Sequence, residues 1–462
     1  MIKFVNDDFL LDTQTARKLY HQIAEGLPIL DFHTHLSAEE ICRDIHYENI
    51  TQAWLLPDKY KWQILRSNGV SERLITGEGS DREKWTVWCE VLPKLVGSSL
   101  VQWAQIEMKR FFRTNQMICS GNEESLWNMC NEALQTDAFS VRNILKRKNV
   151  KMICTTEPIM SDLHWHSLMK ETDFRMIPTF NADPLFNINS PDYDELMQQM
   201  QEQTRQRWDN WENLKEAIRM RMDAFDAHDC CLSDHTLGWN FFEEGDDAQV
   251  QHILNLKKAG KKLGKQDLRI YRGAMLTFLA EEYKKRNWVM QIHFGDMPKG
   301  NDLVMEEEAE SFYYEERDLM RQLDGLFITL LKRNGIPKTI LYSMNLMDYQ
   351  ILAMTASRFQ DPQQPGKIQL GSTLWLSAYR NSMAKLIDSL AEIGQLSRFV
   401  GVMSDSGSIF SLSRHEVFRR ILCASLGEWV ETGEIPYDEE QLKNLIEDLC
   451  YRNTSAYFNF PV

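Results

Sequence analysis

His33 and His35 close a short apolar run, Leu27-Pro28-Ile29-Leu30-Asp31-Phe32-His33-Thr34-His35. On a strand successive side chains alternate between faces, so two histidines separated by one residue project the same way, roughly 6.5–7 Å apart along the backbone. Imidazoles so placed can lean toward one divalent cation at Zn–N distances of about 2 Å, leaving the other coordination positions to distant residues. A bare His-x-His is more often two surface histidines in a turn. Here the apolar strand before the pair, the acidic Asp31 and further candidate ligands downstream favour a metal at a strand end. His293 closes an apolar segment in Gln291-Ile292-His293-Phe294-Gly295, and Asp405 does so in Met403-Ser404-Asp405-Ser406. Taken singly, these two read as a hydrogen-bonded histidine and a helix N-cap. Together with the pair they place three imidazoles and a carboxylate at strand ends.

Eight short apolar segments are available to position these groups, at 27–35, 150–156, 174–180, 230–235, 288–293, 338–343, 367–371 and 399–405. Helical patterns separate them. That alternation predicts an α/β fold with a parallel sheet, closed as a (β/α)8 TIM barrel whose functional groups sit at the C-terminal ends of the strands. No Gly-x-Gly-x-x-Gly follows any of these segments, which argues against a dinucleotide-binding sheet. Residues 36–149 separate the first two strands, far more than a loop and one helix require. They are expected to form a helical insertion that walls the barrel mouth, with Trp54, Trp62, Trp85, Trp88, Trp103 and Trp127 among its amphipathic patterns. The expected organisation is an N-terminal segment with the first strand at 1–35, the insertion at 36–149 and the rest of the barrel at 150–462. A second helical stretch is expected around 192–227.

A formal net charge of −15 argues against a nucleic-acid partner, which needs a basic face. An anionic small molecule remains compatible, because local cations decide that. With 43% hydrophobic and 26% charged residues, the chain reads as globular and not disordered. No apolar stretch reaches 18 residues and the first residues lack a signal-peptide pattern, so no membrane partner is expected and the cytoplasm is the default location. Nine cysteines, with Cys230 and Cys231 adjacent, do not form a disulfide framework or a Cys-x-x-Cys metal motif and are expected to be reduced. A homo-oligomer is left open.

Further motifs run in order through the chain. They include Asp8-Phe9-Leu10-Leu11-Asp12, Ala16-Arg17-Lys18-Leu19-Tyr20, Tyr60-Lys61-Trp62, Ser80-Asp81-Arg82-Glu83-Lys84 and Trp103 with Glu107. Pro178-Thr179-Phe180, Pro337-Lys338-Thr339-Ile340-Leu341-Tyr342 and Arg414-His415-Glu416-Val417-Phe418-Arg419-Arg420 follow. With the histidine motif, these resemble the uronate isomerases, also called glucuronate isomerases, of the amidohydrolase superfamily. The resemblance implies a metal-dependent aldose–ketose isomerase that interconverts an aldose uronic acid, of the D-glucuronate or D-galacturonate type, with its 2-keto isomer by proton transfer between C2 and C1. It further implies that His33, His35 and Asp405 bind one divalent metal, with zinc the leading candidate. Asp405 is then the base, with Tyr60 and His293 in the same catalytic site. Lys59, Asn181 and Trp375 stand where that family contacts its substrate, a small sugar acid.

The chain departs from the family pattern at several positions. Asn181 and Gly407 stand where the family has arginines, Lys59 where it has histidine, and Ser377-Ala378 where it has an amide and an acid; Thr155-Thr156-Glu157-Pro158 keeps one acidic residue of a usual two. Two guanidiniums near a uronate would clamp its carboxylate or support developing charge. Their absence predicts weaker catalysis on glucuronate, with Lys59, Lys299 or Arg380 as candidate replacements. The alternatives are a family member acting on another sugar acid, a non-catalytic ligand-binding relative, or metal-dependent hydrolysis.

Overall fold

The computed structural model describes residues 4–170, 172–238, 240–295, 319–343, 345–372 and 380–461. Trp375 and Lys299 therefore lie outside the described residues. Within them run seven parallel strands: β1 (Ile29–Thr34), β2 (Val150–Pro158), β3 (Arg175–Asn181), β4 (Leu232–Leu237), β5 (Val289–Phe294), β6 (Thr339–Ser343) and β7 (Ile368–Leu370). Each strand pairs with the next in chain order. β1, β6 and β7 are buried along their whole length. Because both of their faces are covered, burial runs on through successive residues, polar ones such as Asp31 and His33 included, and these segments lack a clean alternation in sequence.

The eighth expected strand, 399–405, is not one. This stretch carries no regular strand pairing, yet it takes the strand's place. The Asp405 N–H donates to the His33 carbonyl at 3.1 Å and the His35 N–H to the Ser406 carbonyl at 3.2 Å. On its other side the Gln369 amide donates to the Arg398 carbonyl at 3.0 Å. Asp405 itself has φ 45°, a left-handed conformation that interrupts any ladder at the point where the chain turns into the site. Leu30, Phe32, Met152, Leu232, Val289, Ile340, Val400 and Met403 meet in one interior cluster, so every side of the ring except β7 contributes to a common filling, β3 through Ile177. Phe458 and Phe460 enter the same cluster, Phe458 stacking on Phe32 with ring centroids 4.9 Å apart. The Tyr457 hydroxyl donates to the Thr339 and Lys367 carbonyls at 3.2 and 2.7 Å, which fixes the C-terminal helix at the N-terminal ends of β6 and β7, opposite the mouth.

Between β1 and β2 the chain is helical, including Lys59–Ser67, Asp81–Val91 and Ser99–Phe112. Its core is built on tryptophans. The Trp54 ring centroid lies 6.2 Å from Trp85 and 5.8 Å from Trp88. That core is continuous with Ile29, Val150 and Ile153 of β1 and β2, so the insertion is welded to the barrel and not tethered to it. All nine cysteines are free. Among the described residues no helix is long and apolar enough to cross a membrane.

Candidate metal centre and proton-transfer site

Strict alternation from Leu30 and Phe32, which face the barrel interior, would turn His33 away from it. The register prevents this: Asp31 pairs with Ile153 and Thr34 with Thr155, so β1 carries one residue more than β2 over that interval. A bulge of this kind re-aims a side chain. As a result His33 Nε2 lies 3.3 Å and His35 Nε2 3.4 Å from the same oxygen, Asp405 Oδ1. Asp31 braces the bulge from below, its carboxylate accepting the Ser404 N–H at 2.7 Å.

On β4, β5 and β6 the period of two is kept. Leu232 faces the interior, so Asp234 faces the space above it; Val289 leads to Gln291 and His293 in the same way, and Ile340 to Tyr342. The His293 ring stacks on Tyr342 at 4.3 Å, and the Tyr342 hydroxyl donates to Gln291 Oε1 at 2.8 Å. His293 Nε2 sits 2.9 Å from Asp234 Oδ1, and His33 Nδ1 sits 3.8 Å from that same oxygen. Asp234 was not among the expected site residues.

Two groups of metal-ligating atoms therefore share one histidine: His33, His35 and Asp405, and His33, Asp234 and His293. The two nitrogens of His33 decide between them. A neutral imidazole has one lone-pair nitrogen and one N–H. If Nε2 ligates beside His35 and Asp405, Nδ1 carries the hydrogen and points it toward Asp234, the usual carboxylate support of a metal-bound histidine. The residues fit a cation on two further grounds. His33 Nδ1, Asp234 Oδ1 and His293 Nε2, the atoms of the second group, are buried and without a hydrogen-bond partner of good geometry, so that group fits a cation as well. The surroundings also call for positive charge. Burial works against protonation of His33, yet Asp234, Asp405 and Asp31 outweigh it and push its pKa up to about 9.

Burial alone would raise the Asp405 pKa, but the hydrogen bonds and charges of His33 and His35 hold the carboxyl well below the ordinary range. It is ionised at neutral pH. Its second oxygen, Oδ2, accepts the Tyr60 hydroxyl at 2.5 Å. Burial, and next the Asp405 charge, push the Tyr60 phenol well above its ordinary value, so it stays a donor. Tyr60 is delivered by the insertion, on the first turn of the Lys59–Ser67 helix, whose N-cap Asp58 accepts the Tyr60 N–H at 3.1 Å.

The remaining expected residues are placed as follows. Lys59 is exposed beside Tyr60 at the start of the same helix. Asn181 pairs with Asp234 across β3 and β4; its amide donates to the Asp234 carbonyl at 3.2 Å and accepts the Asp183 N–H at 3.2 Å. Arg380 is paired with Asp12 at the surface. At Gly407 an added Cβ would come within 2.9 Å of the Pro57 carbonyl oxygen and 3.4 Å of the His35 carbonyl oxygen. The insertion backbone thus occupies the space into which a side chain at 407 would grow.

A family model described as glucuronate isomerase matches residues 1–458. The uronate isomerase of Lachnospira eligens is 36% identical over 468 residues, covering 100% of both chains. Among solved structures, the uronate isomerase of Thermotoga maritima superposes with a TM-score of 0.89 at 26% identity, covering 99% of this chain and 100% of that one. The glucuronate isomerase of Caulobacter crescentus gives 0.87 at 23% identity, over 99% and 97%, a likeness of fold. A full-length family match and a full-length relative agree with the convergence of His33, His35, Asp405 and Tyr60, and the chain belongs to the glucuronate isomerase family.

Proposed function

We propose that this protein is a metal-dependent uronate isomerase that interconverts an aldose uronic acid with its 2-keto isomer. The observation that carries the reading is the division of Asp405: one oxygen faces two imidazoles and the other takes the Tyr60 hydroxyl. His33, His35 and Asp405 would hold one divalent ion, zinc first among those that suit two imidazoles and a carboxylate. Such an ion, when bound, supplies Lewis-acid charge at the sugar's C1 and C2 oxygens.

The protein's own groups supply the proton movements. Isomerisation takes a proton from C2, passes through an enediol and returns a proton to C1, while one hydroxyl proton moves from the C2 oxygen to the C1 oxygen. Asp405, ionised and fixed on both sides, takes and returns the carbon-bound proton. Tyr60 hydrogen-bonds to that carboxylate and donates toward the substrate oxygens as they gain charge. His293, held against Tyr342 and beside Asp234, is the second group for hydroxyl protons. Lys59 is the cation assigned to the substrate carboxylate, and Trp375 and Asn181, the latter hydrogen-bonded to the Asp234 carbonyl, are the other residues assigned to substrate binding. Free cysteines suit the cytoplasm as its compartment.

The test is to load purified protein with zinc, manganese or cobalt and present a panel of hexuronates and neutral aldoses, following aldose loss and ketose formation. Turnover confined to hexuronates supports the reading. Turnover of neutral aldoses alone, or hydrolysis without isomerisation, contradicts it.

A further inference from the structure

Behind Asp405 lies a buried arginine that this reaction scheme has not used. Arg414 is only 3% exposed. It is the second residue of the Ser413–Glu431 helix, where the helix dipole disfavours a cation. A guanidinium buried at the wrong end of a helix needs strong acceptors, and here their positions are specific. Nη1 donates to the Ser404 carbonyl and to the Asp405 carbonyl, the latter at 3.2 Å. Nη2 lies 3.6 Å from Asp58, the N-cap of the helix that carries Tyr60. The guanidinium plane stands 5.1 Å from the centroid of the Tyr60 ring.

One side chain thus touches the peptide that bears the Asp405 carboxylate, the ring of the phenol bound to that carboxylate, and the cap that starts the phenol's helix. Asp405 needs such support. Its left-handed backbone, φ 45°, is a conformation that few residues besides glycine, asparagine and aspartate adopt, and here both sides of the residue's backbone are held. Its N–H is tied to the His33 carbonyl, and its C=O is tied to Arg414.

We propose that Arg414 is a positioning residue for proton transfer: it sets the Asp405 carboxylate and the Tyr60 hydroxyl in register by gripping the backbone of one and the ring and helix cap of the other. The proposal rests on the reading of Asp405 as the base. Lysine at this position keeps the charge but loses the planar fork that spans two carbonyls and a carboxylate. A misplacement of about 1 Å at a reacting group costs about a hundredfold in rate.

The experiment uses metal-loaded full-length Arg414→Lys and Arg414→Ala, alone and combined with Tyr60→Phe, with Asp405→Asn alongside. Arg414→Lys is expected to lower kcat about ten- to a hundredfold with KM within about twofold and metal stoichiometry unchanged. In the Tyr60→Phe background the same substitution should cost less, because the partner it aligns is already gone. Cobalt(II)-loaded protein gives a readout without substrate: the visible bands should shift in Arg414→Lys as the Asp405 oxygen moves. Wild-type kcat with unshifted bands in Arg414→Lys overturns the proposal, as does a fully additive loss with Tyr60→Phe. If Arg414→Ala does not fold, the lysine variant carries the test alone. Activity retained in Asp405→Asn, or a wild-type protein that binds no cobalt, instead overturns the underlying site reading.

Discussion

The two oxygens of Asp405 face differently built halves of the site. Oδ1 meets His33 and His35, two residues of a single strand end, across a seam between β1 and the segment that stands for the eighth strand. Oδ2 meets Tyr60, 345 positions away in the chain and carried by an insertion with its own tryptophan core. The first half is barrel architecture, in which a bulge in the sheet fixes where the two histidines point. The second half is an interface, in which Arg414, Asp58 and Lys61 form buried ionic contacts that hold the insertion onto the barrel. Burial alone would raise the Asp58 pKa, but Lys61 and Arg414 hold it below the ordinary value, so the pairing stays charged. On the proposed function, the cation-binding and proton-transfer halves can therefore be perturbed separately.

Removing the barrel half should have the largest effect. A His33→Ala, His35→Ala variant is expected to lose the metal, from about one ion per chain to background by elemental analysis, and to lose isomerisation with it. Unchanged stoichiometry would show that the ligands lie elsewhere. Disturbing the interface half should leave the metal in place. Tyr60→Phe deletes one hydrogen bond to a charged group, worth roughly 1.5–3 kcal/mol, or about ten- to a hundredfold in kcat. A loss of metal in that variant would mean the two halves are not separable.

The smallest of these effects probes the contact between the halves. Gly407→Ala places a methyl group 2.9 Å from the Pro57 carbonyl oxygen. Overpacking of this kind costs about 1–3 kcal/mol of stability, measurable as a lower denaturant midpoint. The same crowding bears on the missing arginine at this position: Gly407→Arg should be less stable and no more active on glucuronate. Improved turnover with unchanged stability would show that the Pro57 segment yields easily.

The contrast between the halves also explains what could be read from sequence. His33, His35, His293 and Asp405 are visible because residue type and position at the end of an apolar segment are local signals, and the strand boundaries at 150 and 289 fall within a residue of those expected. Asp234 follows the same logic, two residues beyond the interior Leu232, whereas His235, the residue that closes the expected segment, turns outward to the Tyr283 hydroxyl at 2.7 Å. The stretch 399–405 has a strand's composition and place but not its ladder, because Asp405 must turn into the site. Arg414 was legible only as part of a family motif. Its role depends on three partners brought together by tertiary packing, and no spacing rule encodes that.

The central claim is that Asp405 moves the carbon-bound proton while His33 and His35 hold the cation beside it. The direct measurement is the rate of solvent-deuterium incorporation at C2 of the hexuronate that the wild-type protein turns over, in Asp405→Asn, with metal content determined on the same sample. With metal retained, the account predicts exchange suppressed by about 10²–10⁴-fold. Exchange at the wild-type rate in a fully metallated Asp405→Asn protein would contradict it and assign the proton transfer to another group.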